Sequence, residues 1–153
     1  MPAKALRMID GIEVWSPAGG PAGLGFIRAY KRVDPQEWFF KAHFFQDPVC
    51  PGSLGIESFL QTLKFAAMRK WPQYADTHVF ESLCTTPHQW SYRGQVVPTN
   101  QKVVVETVIK RAEDGPQPII IADGWLQVDG LYIYKMEDFG IRLSPKYTFC
   151  IYY

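Results

Sequence analysis

The chain has 153 residues and a formal net charge of +1, with 47% hydrophobic, 15% aromatic and 20% charged residues. That length suits one domain around one core, and the balance excludes an intrinsically disordered chain. With 16 basic residues against 15 acidic ones and no long run of one sign, a broad nucleic-acid or anionic-membrane surface has no electrostatic basis. Cys50, Cys84 and Cys150 are odd in number and widely spaced, which excludes a closed disulfide framework, a zinc knuckle and a CxxC redox pair. Reduced thiols are expected. The opening stretch MPAKALRMIDGIEVW lacks a signal-peptide core, and no segment approaches the ~20 apolar residues of a membrane span, so a cytoplasmic protein is expected.

In chain order, the apolar run Ile12 to Trp15 and the run from Leu24 flank a Gly/Pro loop, Ser16 to Gly23, which predicts a loop-linked strand pair. Asp34-Pro35-Gln36-Glu37 has a capping residue, proline at the first helical position and Glu three residues after the cap. It predicts a short helical turn that delivers WFFKAHFF. Pro48 and Pro51 then impose a stiff loop ending at Gly52. From Ser53, a plausible N-cap, Ile56, Phe59, Leu60, Leu63, Ala66 and Ala67 recur at helical spacing. This one long helix should stop before Pro72, with Arg69 and Lys70 at its negative end. Its apolar residues wrap most of the surface, which predicts a central helix enclosed by sheet. Beyond it, HQWSYRG, KVVVETVIKR, PIIIADGWLQV and LYIYKMEDFGIRL read as strands. Asp129-Gly130 is a type I′ hairpin signal and Glu113 to Pro118 an exposed loop. The expected class is α+β with a largely antiparallel sheet, a single domain over 1–153.

His43, Asp47 and Glu57 lie in the densest stretch, and an acid–base pair needs one group to accept a proton near neutral pH and one to donate it. His43 can be that base or an aromatic-packed structural histidine. Glu57, one turn into an apolar helix, can be a proton donor held neutral by burial, with Gln61 at i+4 orienting it, or a simple contact with the helix dipole. Gly52 can be a turn glycine, or its backbone amide at the helix N-terminus can polarise a carbonyl. Cys50, between prolines, reads as packing rather than as a nucleophile. A zinc site from His43, Asp47 and Glu57 lacks a second clustered histidine or a cysteine pair, so no metal is expected. His78 and His88 stand apart.

The segment Trp38 to Gln61, WFFKAHFFQDPVCPGSLGIESFLQ, resembles the active-site segment of the β-hydroxydecanoyl-ACP dehydratase/isomerase family, W-F-F-x-x-H-F-x-x-D-P-V-x-P-G-x-L-G-x-[DE]. The likeness extends through YRGQVVPTNQKV and IIIADGWLQVDGLYIY, covering about Ala5 to Leu143. SLGIES is closer to the dehydratase domains of polyunsaturated-fatty-acid synthases, which suggests a domain of a multienzyme. The resemblance implies a hot-dog fold, with His43 as catalytic histidine and Glu57 as the carboxylate contributed from the other half of a dimer or pseudo-dimer. Gly52 and Gln61 are the implied substrate-binding residues, Gly52 through its thioester-binding amide. It implies dehydration of 3-hydroxyacyl thioesters carried on the phosphopantetheine of an acyl carrier protein, without metal or organic cofactor. The isomerising members of the family usually have aspartate at Glu57, cysteine at Ser53 and methionine at Cys50, whereas relatives that only dehydrate use glutamate. A hot-dog thioesterase, and a non-catalytic hot-dog domain packed against an active partner, are the alternative readings.

Overall fold

A computed structural model describes residues 4–146 except 85; Cys150 and the ends of the 1–153 domain lie outside them. The β-branched and aromatic segments form strands β1 (Gly11–Ser16), β2 (Phe26–Arg32), β3 (His78–Ser82), β4 (Gln89–Tyr92), β5 (Lys102–Glu113), β6 (Ile119–Val128) and β7 (Leu131–Pro145). They pair antiparallel in one seven-stranded sheet of order β1-β2-β5-β6-β7-β3, with β4 also pairing β7. β4 and β3 occupy successive stretches of the same β7 edge, opposite residues 134–137 and 141–145. Asp129 (φ 49°) and Gly130 (φ 87°) make the tight turn expected between β6 and β7. The loop expected from Glu113 to Pro118 is shorter: Glu113 ends β5 and Pro118 is buried, so the exposed stretch is Asp114 to Gln117. β3 was not legible as a separate element. It is a short edge strand with Val79 41% exposed, so its apolar alternation is weak.

Two α-helices separate the first two strands from the rest: the short α1 (Trp38–Ala42) and the long α2 (Gly52–Lys70). Asp34 does not open α1. Its Oδ1 accepts the Gln36 N–H at 2.9 Å and closes a turn, and the helix starts after Glu37, whose carboxylate pairs with Lys31 at 2.6 Å instead of capping. At α2 the cap is Pro51 (φ −53°, ψ 132°) rather than Ser53, and the Pro51 carbonyl accepts the Leu54 N–H at 3.0 Å. Proline presets the extended entry, and Ser53 is left exposed within the first turn. The helix ends at Lys70, before Pro72, as the sequence requires.

The sheet curls around α2 as in a hot-dog fold. Phe59, Leu63, Ala66 and Ala67 are buried with Ile27, Val105, Ile120, Ala122 and Leu126 in one core. Enclosure is one-sided, because a single sheet covers a single face of a helix. Glu57 and Lys64 are half-buried, and Ser53 and Met68 exposed, along the opposite flank. A buried hydrogen bond of 2.7 Å joins Thr62 on α2 to Thr107 on β5, so the polar pair inside the core is satisfied. No helix among the described residues is long and apolar enough to cross a membrane.

Close approach of helix and sheet depends on Gly124, at a register shift of β6 against β7. A Cβ there would meet Phe59 Cδ1 at 2.7 Å and the Glu106 carbonyl at 3.1 Å. Phe59 is fully buried and has nowhere to retreat. Gly124→Ala should therefore destabilise the fold by ~1–3 kcal/mol through overpacking, read as a lower midpoint in urea unfolding with an unchanged slope. An unchanged midpoint would mean that Phe59 is not held as described.

Candidate active site

His43 sits at the C-terminal end of α1, its N–H donating to the Phe39 carbonyl at 3.0 Å. The chain then leaves the helix through Phe44, Phe45 and Gln46 and returns past Pro48 to Val49. The Val49 carbonyl lies 3.2 Å from His43 Nδ1. A carbonyl can only accept, so this contact places a proton on Nδ1, and in the neutral tautomer it selects the lone pair lies on Nε2. The Phe44 ring covers the imidazole at 3.9 Å between centroids, and Phe45 beside it is 91% exposed. The His43 side chain is thus fixed in orientation, half-buried, with one basic nitrogen uncommitted to Val49.

The same loop feeds α2. The Cys50 N–H donates to the Val96 carbonyl at 2.9 Å, which pins the loop before the strand-like turn into Pro51 and Gly52. Gly52 is the first residue of a 19-residue helix, where the amide has no carbonyl of the preceding turn to bind. Trp90 and Tyr92 of β4 pack against it: a Cβ at position 52 would come within 2.7 Å of the Trp90 ring. Glycine is required here for close approach.

Cys50 is buried, and that burial, reinforced by the negative charge of Glu37, pushes its thiol up to about 12, with Lys31 opposing only in part. Behind it, Tyr134 stacks on Tyr92 and is pushed well above the usual phenol range, first by burial and then by Tyr92. Phe39, Phe40, Cys50, Leu54 and Tyr134 line a small apolar cavity of about 30 Å³. Cys50 is therefore a packing residue.

Glu57 lies one turn further along α2. Its surroundings differ from the apolar burial expected of it: Oε1 accepts hydrogen bonds from Gln61 Nε2 and Lys64 Nζ, each at 2.9 Å, and the side chain is 24% exposed. Gln61 is fully buried and its amide is engaged throughout. Nε2 also donates to the Leu6 carbonyl at 2.7 Å, and Oε1 accepts the Met8 N–H at 2.9 Å. Gln61 orients Glu57, as its i+4 spacing predicts, but keeps no free group for a substrate. Among the described residues no hydrogen bond joins His43 to Glu57, whereas His43 and the approach to Gly52 are joined through Val49. Asp47 stands exposed in the loop, and no group of three His, Cys, Asp or Glu among the described residues could hold a metal ion, so His43, Asp47 and Glu57 form no zinc site.

Two elements of the site carry no signal that sequence reasoning used. The Val49 contact involves a backbone carbonyl, for which no side chain is a marker. Lys64 was visible in principle, three residues after Gln61 and seven after Glu57 on one helical face.

A curled antiparallel sheet around one long helix defines a hot-dog domain. The profile of the FabA-like domain matches residues 1–137, and the chain belongs to that family. It is 34% identical over 144 residues to one component of the polyunsaturated fatty acid synthase of Thraustochytrium sp., covering 90% of this chain but 9% of that protein. The chain thus spans under a tenth of the curated relative it matches. Among solved structures, the dehydratase heterocomplex ApeI:P from Xenorhabdus doucetiae superposes with a TM-score of 0.65 at 12% identity, over 96% of this chain and 88% of that one. A hypothetical thioesterase with coenzyme A from Streptococcus pneumoniae gives 0.55 at 9% identity, over 90% and 88%. At such identities these likenesses show the fold.

The raised Cys50 thiol has a direct consequence. At pH 8 the folded protein treated with iodoacetamide should be labelled at exposed Cys84 and not at Cys50, because thiolate is scarce far below a value of about 12. Peptide mass mapping should find Cys50 modified only after denaturation. Equal labelling of both in the native state would contradict the packing role.

Proposed function

We propose that this domain dehydrates 3-hydroxyacyl thioesters to trans-2-enoyl thioesters, with the acyl group presented on the phosphopantetheine arm of an acyl carrier protein. The observation that carries the reading is the His43 contact with Val49, which leaves Nε2 as a positioned base next to the loop that ends in the Gly52 amide. Nε2 removes the proton at C2, and the Gly52 N–H, at the positive end of α2, stabilises charge developing on the thioester oxygen. The C3–O bond breaks as a carboxyl group protonates the departing hydroxyl, giving water and the C2=C3 double bond. Glu57 is that carboxyl group. The place of Glu57 on the flank of α2 that the sheet leaves uncovered supports assembly of each site from two hot-dog units, as two copies or as a tandem pair. The family match, the synthase relative and the dehydratase neighbour support the same reaction class. Cys50 and Ser53, where isomerising relatives have methionine and cysteine, favour dehydration without double-bond migration.

His43→Ala and Glu57→Gln should each lower formation of the 2-enoyl thioester by ~10²–10⁴-fold while the melting temperature changes little. Product analysis by mass spectrometry on a 3-hydroxyacyl thioester checks this, and release of free thiol instead of enoyl product would point to a thioesterase. Co-expression of the two variants tests the shared site. Mixed dimers should recover about a quarter of parental turnover, since half the dimers are mixed and each mixed dimer has one complete site of two. No recovery would place both groups in one chain.

A further inference from the structure

We propose that Lys64 is a positioning residue for the proton-donating carboxyl group, holding Glu57 so that Oε2 alone is presented to the substrate; this rests on the dehydratase reading above. Glu57, Gln61 and Lys64 fall at i, i+4 and i+7 on one face of α2. Positions seven apart are ~10.5 Å apart along the axis, so the lysine and glutamate must reach toward each other to meet. They do so at 2.9 Å, at the cost of rotamer freedom in two long side chains. Both Lys64 Nζ and Gln61 Nε2 bind the same oxygen, Oε1, and Oε2 has no partner among the described residues. An oxygen that accepts two hydrogen bonds is the poorer place for a proton, so when this carboxyl group carries a proton, Oε2 is the oxygen that holds it.

This arrangement acts differently before and after proton transfer. When Oε2 gives up its proton to the leaving hydroxyl, negative charge spreads onto Oε1, the contact to the ammonium becomes a full ion pair and the contact to the amide becomes charge-assisted. Donors already in place where charge develops need no reorganisation during the step. Lys64 also lines an apolar groove of about 560 Å³ with Phe65, Met68, Val79, Phe80 and His78, yet its ammonium is paired with Glu57. The alternative is an ordinary surface ion pair, worth ~0.2–1 kcal/mol of stability and nothing to turnover.

Turnover separates the two. In the full-length chain, Lys64→Met should lower kcat for enoyl formation about tenfold with KM within about twofold, less than the ~10²-fold of an ångström-scale misplacement because Gln61 still holds Oε1. Lys64→Arg should restore most of the loss. In a Glu57→Gln background, Lys64→Met should cause no additional loss, because Lys64 acts only through Glu57. If the parent protein forms enoyl product and Lys64→Met keeps parental kcat, or if its loss adds to that of Glu57→Gln, the Lys64 proposal is overturned while the dehydratase reading stands. If the parent forms no enoyl product, the dehydratase reading fails and this proposal fails with it.

Discussion

The buried side-chain amide of Gln61 is the constraint on which most of the half-site depends. It has no exposed surface, and it joins the N-terminal segment, through Leu6 and Met8, to α2, where it also holds the carboxylate of Glu57. An unsatisfied amide at that position would cost the desolvation of both its ends, so the three contacts are mutually required. Met8, drawn in by its N–H, becomes part of the core cluster. Glu57 is thereby fixed from below by a group that cannot move without opening the core.

A second constraint operates on the other side of the site. The stretch from His43 to Gly52 has little regular pairing, and prolines at 48 and 51 deprive it of donors. Its order comes from a few contacts: Val49 to Asp47, Cys50 to Val96, and the imidazole to Val49. Rigid loops of this kind place catalytic groups more accurately than their lack of secondary structure implies. Burial of Cys50 against Tyr134 and Phe40 then fastens the loop to the sheet, and Trp90 and Tyr92 close over Gly52.

These two constraints position the two groups proposed to react, His43 and Glu57, independently. His43 is held by the loop and α1, Glu57 by α2 and the N-terminal segment, and the flank of α2 that carries Glu57 and Lys64 is the one the sheet leaves uncovered. A dehydration needs base and acid near adjacent carbons of one substrate. In the proposed reaction, a second hot-dog unit laid against that flank would meet the requirement without altering the contacts of His43 or of Glu57.

The sequence by itself determined the elements whose signals are local. The long helix and its stop before Pro72, the Asp129-Gly130 turn, strands β5 to β7 and the place of Gln61 beside Glu57 all follow from periodicity, proline chemistry and i,i+4 spacing. The histidine-to-glutamate motif made the family readable because it is a contiguous run. Tertiary structure alone decided what depends on groups distant in the chain or carried by the backbone. Pro51 rather than Ser53 caps α2, and Asp34 closes a turn instead of a helix, because neighbouring contacts outweigh capping preference. The Val49 carbonyl orients His43, β3 exists because β7 offers an edge, and Glu57 faces Lys64 rather than apolar side chains because one sheet can cover only one side of a helix.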